Sequence, residues 1–166
     1  MPPLLDICKF TLLTLLGMGA ISGLSFSSSA VASSGLVLSF GSLGATAALV
    51  YSAPASPLAQ PRNVLGSHLV CSVIGVGVRL AVLGRGLPGD LPAAVALSVA
   101  LSVAAMALLG VQHPAGGGTA FLAVASADIA QMGWLFVPSI VLGAAILVAV
   151  AWLGSAVGRP YPVQWL

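Results

Sequence analysis

The sequence has almost no charge. Only three acidic and five basic residues occur among its 166, and charged residues make up 5% of the chain. A soluble domain carries about 25% charged residues, so this chain could not cover itself with a polar surface. The net charge of +2 gives no reason to expect a nucleic-acid partner. The chain is therefore predicted to lie in a membrane, with the lipid bilayer as a partner.

Catalytic and metal-binding patterns are also missing. The sequence has no Gly-x-Ser-x-Gly, no His-Glu-x-x-His and no phosphate-binding loop. Its two cysteines, Cys8 and Cys71, have no pattern of further ligands around them. The histidines His68 and His113 would need additional ligands to hold a metal. We therefore expect neither an enzyme nor a protein with a cofactor or metal.

Hydrophobic residues are abundant instead, at 59% of the chain, with 20 glycines among the small residues. At about 20 residues per span, the length suffices for roughly six spans, and small residues let such helices pack closely. Residues 10–26 could be a signal peptide, but glycines interrupt their apolar run, so a retained first helix is expected. The predicted fold class is all-α: one polytopic membrane domain over residues 1–166.

One segment, residues 112–119, reads Gln-His-Pro-Ala-Gly-Gly-Gly-Thr between two apolar stretches. Proline lacks a backbone N–H and glycine is a poor helix former, so a helix break is predicted here. A helix restarting near Gly118, capped by Thr119, would point N–H groups and its positive dipole end into the break, where a small anion could bind. His113 could donate a hydrogen bond or a proton; alternatively it only packs at a tight turn. The candidate residues are His113, Gly116, Gly117, Gly118 and Thr119.

A second segment resembles the first. When the chain is aligned on itself, Gly44-Ala45-Thr46-Ala47 falls on Gly117-Gly118-Thr119-Ala120. This predicts a two-fold internal repeat of helix, broken element, helix, and paired breaks of this kind mark substrate sites in transporters. The counterpart candidates are Gly41, Ser42, Gly44 and Thr46.

The repeat leaves the topology open. The broken elements could cross the membrane, giving six crossing elements, or dip in and return, giving four full spans. The placement of Lys and Arg favours four, whereas residues 35–52 are long enough to cross. We favour six elements, some of them broken or re-entrant.

A third group of polar residues precedes and begins an apolar segment. Asn63 is a natural N-cap for the helix that follows. Arg62 could attract anions at the mouth of a pathway or lie among lipid headgroups. His68 could supply a hydrogen bond or a proton, or be a satisfied buried histidine.

Residues 39–47, 56–68 and 113–120 together resemble the HPP family of integral membrane proteins, named for a His-Pro-Pro motif. The middle block is the most specific. His113 and Pro114 are retained, but Ala115 stands where the family's second proline would be. Some cyanobacterial and plastid-envelope members of this family look like nitrite transporters. The resemblance implies a small multi-span protein and nitrite as a substrate.

The sequence thus predicts a transporter or channel for a small inorganic anion, most specifically nitrite, in a bacterial inner membrane. The small size and many small residues favour a homo-oligomer. Two alternatives stay open: a membrane scaffold or assembly protein that transports nothing, and a channel for another small polar solute.

Overall fold

The described part of the molecule is helical. In this computed structural model it comprises residues 3–38, 40–85, 90–155 and 160–164, without the side chains of Ala30, Ala32 and Arg85. Four segments are long and apolar enough to cross a membrane: Leu4–Ser27 (α1), Pro61–Val82 (α4), Asp90–Leu109 (α5) and Ala127–Gly154. The last comprises α7 (Ala127–Met132), a 3-10 turn and α8 (Phe136–Gly154). The shorter helices are α2 (Ser29–Ser34), α3 (Gly41–Ser52) and α6 (Pro114–Ala125). The prediction of an all-helical, multi-span membrane protein is confirmed.

Helix α4 lies at the centre of the bundle and contacts α5, α6 and α8. Glycine permits its closest approach: a Cβ on Gly75 would lie 2.7 Å from the Cβ of Ala123 and 3.0 Å from the carbonyl oxygen of Ala120. The backbones of α4 and α6 therefore pack with almost no side chain between them.

Helix α1 packs against α3 and α8. A Cβ on Gly17 would overlap the hydroxyl of Tyr51, which donates to the carbonyl oxygen of Leu147 at 3.2 Å. At the other end of this interface Gly154 lies against Leu13. The first apolar segment is thus part of the packed bundle.

Helices α3 and α6 are too short to cross a membrane alone. Each has 12 residues, or about 18 Å, against about 30 Å of hydrocarbon. They contact each other. Ser42 contacts Thr119 while Thr46 contacts His113, which shows that the two helices run antiparallel. Their N-terminal halves overlap, so both helix N-termini lie in the middle of the pair.

The predicted helix break is present between Leu109, where α5 ends, and Pro114, where α6 begins, but the predicted restart near Gly118 is wrong because the three glycines lie inside α6. Helix α6 begins at Pro114, with His113 at the N-cap position, and all three glycines are helical. Proline suits the first helical position because its missing N–H would have no partner there. Thr119 is no cap, since its hydroxyl lies 3.2 Å from the carbonyl oxygen of Ala115, within the same helix. Likewise α3 begins at Gly41, which places Gly44 inside the helix.

The connection between α3 and α4 is held by Gln60, which is 4% exposed. Its amide nitrogen donates to the carbonyl oxygens of Pro54 and Ser56 at 2.9 and 2.8 Å. Its amide oxygen accepts from the backbone N–H groups of Val163 and Gln164 at 2.9 and 3.1 Å. This one side chain therefore joins the loop to the C-terminal residues.

We expect Gln60→Glu to lower the free energy of unfolding by about 2–4 kcal/mol, because a buried carboxylate would face two carbonyl oxygens. The same change at the exposed Gln164 is the matched control and should have little effect. Thermal unfolding in detergent measures both. Equal midpoints for the two variants would contradict the role given to Gln60.

Candidate functional site

Five polar side chains meet where α3, α4 and α6 come together: Ser42, Thr46, His68, His113 and Thr119. We call them the histidine cluster. Thr46, His68 and Thr119 are fully buried, and His113 is 1% exposed. Buried polar groups in a membrane domain are costly unless they are hydrogen-bonded, so such a cluster is a candidate site.

Thr46 joins the two histidines. Its Oγ1 lies 2.8 Å from Nε2 of His68 and 3.0 Å from Nε2 of His113. The two rings meet edge to face, with their centroids 5.5 Å apart. The same Oγ1 is 3.2 Å from the carbonyl oxygen of Ser42.

The outer nitrogens of both rings are also bonded. Nδ1 of His68 lies 2.7 Å from Oγ1 of Thr119, which in turn lies 3.1 Å from Oγ of Ser42. Nδ1 of His113 lies 2.8 Å from the backbone carbonyl oxygen of Leu58, in the loop between α3 and α4. Every nitrogen of both imidazoles therefore has a partner.

The structure brings together candidates from all three sequence groups, but the hydrogen bonds of Arg62 and Asn63 go elsewhere. Arg62 is exposed and donates to the carbonyl oxygen of Leu109 at 3.3 Å, so it caps the C-terminus of α5. Asn63 is not the N-cap of α4, which begins at Pro61; its amide instead donates to the carbonyl oxygen of Pro57 at 2.9 Å. Both lie at the end of the bundle that carries the α3–α4 loop.

The candidate glycines divide between two faces. Gly116 faces inward, where a Cβ would come within 3.0 Å of Cys71, Met106 and Ser67. The others leave open space outside: a Cβ on Gly41, Gly44 or Gly117 would meet nothing within 4 Å, and one on Gly118 only Ser42, at 3.7 Å. The helix pair α3–α6 thus presents an outer face nearly free of side chains.

A cavity of about 370 Å³ lies between α3 and the N-terminus of α6, and none of these outward glycines lines it. It is bounded by residues of both short helices: Ala45, Ala48, Leu49, Ser52, His113, Pro114 and Ala115. His113 is the one member of the histidine cluster in this lining. A second cavity, of about 80 Å³, lies against α1 with Lys9 and Tyr51 in its largely apolar wall, away from the histidines.

Sequence reasoning missed one partner of the site and one residue that caps a helix of the site. The carbonyl of Leu58 orients His113, and no side-chain pattern could have revealed a backbone group. Arg79, half-buried near the end of α4, donates to the carbonyl oxygen of Val124 and caps the C-terminus of α6. An ionisable residue in an apolar segment was the available signal. In the described ranges no group of three or more His, Cys, Asp or Glu is placed to hold a metal ion.

Comparison with known proteins agrees with this architecture. The family described as "HPP, transmembrane region" matches residues 1–162. The chain belongs to this HPP family. It is also 36% identical, over 129 residues, to each of two transmembrane proteins of Dictyostelium discoideum; the match covers 75% of this chain but 44% and 40% of those proteins. The chain thus spans less than half the length of these relatives. No solved structure matches it.

The family assignment confirms the resemblance drawn from the three sequence blocks, including residues 113–120 around the family's namesake motif. Two of these HPP blocks supply the paired helices: α3 and α6 each begin within one. The third reaches from the α3–α4 loop into α4 and ends at His68. The histidine cluster is therefore built from all three.

Proposed function

We propose that this HPP-family protein is a membrane transporter or channel for a small inorganic anion, with nitrite as the first candidate, and that it is not an enzyme. The observation that carries the proposal is the cavity on the α3–α6 face, with His113 in its lining. The cavity lies between the part of α3 from Ala45 to Ser52 and the N-terminus of α6.

Helix N-termini attract anions because their first N–H groups have no partner in the helix and carry the positive end of the dipole. Here the N-terminus of α6, at Pro114, borders the cavity, whereas the N-terminus of α3, at Gly41, does not. In the cavity the anion would bind at the N-terminus of α6, against the backbone of Ala115, whereas Gly41, Gly44, Gly117 and Gly118 do not line the cavity. His113 would add a hydrogen-bonding ring at one end of the cavity.

Arg62 has a place in this proposal as an attractor of anions. It is exposed at the end of the bundle that carries the α3–α4 loop, and the cavity residues Ser52 and His113 adjoin the same loop. A cation at the mouth of a pathway raises the local concentration of an anion, and this effect weakens as salt increases.

Oligomer and location belong to the same proposal. The outer face of α3 and α6, with its glycines and alanines, would let a second copy approach closely and enclose the cavity. We place the protein in a bacterial inner membrane. The rival function is a membrane scaffold, and it is favoured by the complete hydrogen bonding of the histidines within the chain.

The test is nitrite uptake into liposomes that contain the purified protein. We expect wild type to exceed empty liposomes, and His113→Ala to abolish the excess because Thr46 and the carbonyl of Leu58 lose their partner. Arg62→Ala should slow uptake several-fold at low salt and less at high salt.

The control is Lys9→Ala, which removes a cation beside the other cavity and should leave uptake unchanged. Wild-type flux equal to that of empty liposomes would refute the anion proposal and favour the scaffold. Equal flux in wild type and both site variants would remove His113 and Arg62 from the pathway.

A further inference from the structure

One backbone carbonyl fixes the protonation of the histidine cluster. The carbonyl oxygen of Leu58 can only accept a hydrogen bond, so Nδ1 of His113 must carry a proton. In a neutral ring Nε2 then has a lone pair, and the hydroxyl of Thr46 must donate to it. Thr46 has no second proton, so Nε2 of His68 must be the donor in their contact at 2.8 Å.

The hydrogen bonds continue from His68 to the end of the cluster. With its proton on Nε2, the neutral His68 ring has a lone pair on Nδ1, to which Thr119 must donate. Because the one hydroxyl proton of Thr119 is then directed at His68, the contact of 3.1 Å between Thr119 and Ser42 requires Ser42 as the donor in the neutral state. The neutral cluster therefore has one fully satisfied arrangement, in which the hydroxyls of Ser42 and Thr119 both point toward His68.

Hydroxyls aligned in this way pass a proton by successive short transfers. A proton that reaches Oγ of Ser42 releases the Ser42 hydroxyl proton to Thr119, and Thr119 releases its own to Nδ1 of His68. Ser42 is 7% exposed, more than the other members of the cluster, and it lies against Gly118 on the outer face of the helix pair. Ser42 is therefore the residue at which a proton from outside enters the cluster.

The charged state is also fully hydrogen-bonded. When Nδ1 of His68 carries a proton, it donates to Thr119, whose hydroxyl can turn to the carbonyl oxygen of Ala115 at 3.2 Å. That carbonyl is already within reach and is not needed in the neutral state. His113 is a poorer site for the charge because it stands at the N-terminus of α6, where the helix dipole disfavours a cation.

The three acidic residues, Asp6, Asp90 and Asp128, lie on α1, α5 and α7, and the hydrogen bonds described for the cluster go to none of them. Helix α3 offers Tyr51, whose hydroxyl is bonded to Leu147. Helix α4 offers Arg62, Cys71 and Arg79, and their contacts are with Leu109, Gly116 and Val124. Helix α6 has no charged residue, and the α3–α4 loop, residues 53–60, has none either. A proton on His68 thus lacks a counter-charge from the chain, and an anion on the α3–α6 face would supply one.

We propose that His68 is a proton-binding site, loaded through Ser42 and Thr119, and that one proton travels with each anion in the same direction. The coupling rests on the proposed anion transport. Proton and anion each stabilise the bound state of the other, and this linkage is reciprocal. With a monovalent anion such as nitrite, the transport step carries no net charge.

The decisive variant is His68→Gln. A glutamine can give one donor and one acceptor, as the neutral imidazole does, but it cannot take up a proton. Protein-containing and empty liposomes are compared for nitrite uptake and for lumen acidification, with potassium diffusion potentials of either sign. Wild type should take up one proton per nitrite at a rate that the potential does not change. His68→Gln should take up nitrite without the proton, at a rate that follows the potential.

Two results separate the failure of this inference from the failure of the proposed function. Wild-type nitrite uptake that follows the potential and adds no acidification would overturn the coupled proton and leave anion transport standing. No wild-type uptake would refute the proposed function.

Nitrogen NMR of labelled histidines in the detergent-solubilised wild-type protein then shows which ring nitrogens carry protons, and so whether His68 is the proton site. We expect the neutral rings to carry their protons on Nδ1 of His113 and Nε2 of His68, and nitrite to favour the charged form of His68. The opposite tautomers, or a His68 that stays neutral with nitrite through the range in which histidine titrates, would overturn it.

Discussion

Thr46→Val should largely abolish both nitrite uptake and the stability of the bundle. The substitution keeps the shape of the side chain but removes the hydroxyl that joins the two rings. Nε2 of His68 and Nε2 of His113 would be left buried without a partner, and each such group costs about 1–3 kcal/mol. Thermal unfolding in detergent and uptake in liposomes measure the two effects.

Thr46→Ser is the matched control, because it restores the hydroxyl and should retain most of the stability. Thr11→Val adds a second control, since the exposed Thr11 hydroxyl bonds only to a carbonyl within its own helix. A Thr46→Val protein that unfolds with the wild-type midpoint would show that the histidines are satisfied in another way.

Gly75→Val should separate α4 from α6 and cost about 3 kcal/mol or more of folding free energy. A Cβ at this position would meet a side chain and backbone of α6 at 3.0 Å or less, and a backbone atom cannot move aside as a flexible side chain can. Gly77→Val is the matched control on the same helix, because a Cβ on Gly77 meets nothing within 4 Å.

The comparison needs the yield of folded protein and its unfolding midpoint for both variants. We expect Gly77→Val to stay close to wild type. Equal losses at Gly75 and Gly77 would mean that a β-branched residue in α4, rather than the contact with α6, causes the damage.

Composition was enough to predict the membrane and most of the helices. The near absence of charge excludes a soluble surface, and uninterrupted apolar runs of about 20 residues read directly as spans. The alignment of the two Gly-x-Thr-Ala segments made Thr46 and Thr119 equivalent positions. In the structure both side chains bond to His68. The internal repeat from which that alignment was drawn stays a prediction.

The glycines of α6 could not be interpreted correctly from sequence. A glycine costs about 1 kcal/mol in a helix relative to alanine, so three in succession indicated a break. Packing outweighs that cost: Gly116 lets α6 approach Ser67 and Cys71 of α4 where a Cβ would not fit. Propensity is a local quantity, and this contact joins residues far apart in sequence.

The grouping of the site residues was also beyond the sequence. His68 was placed with Arg62 and Asn63 because they are neighbours in the chain, whereas its hydrogen bonds go to α3 and α6. Arg62 and Asn63 instead bond to backbone carbonyls at the end of the bundle. The antiparallel crossing of α3 and α6 decides that His68 joins the histidine cluster while Arg62 and Asn63 do not. No pattern within one segment of the sequence predicts that crossing.

The hydrogen bonds between Gln60 and residues 163–164 have a consequence for the synthesis of the protein. The ribosome makes residues 160–164 after every transmembrane helix described above, yet the backbone of Val163 and Gln164 bonds to Gln60, and the Tyr161 hydroxyl bonds to the carbonyl oxygen of Ala59. The adjacent Leu58 is the residue that sets the tautomer of His113. The hydrogen bonds that hold the loop around Leu58, and with it the partner of His113, are therefore complete only once residues 160–164 have been made.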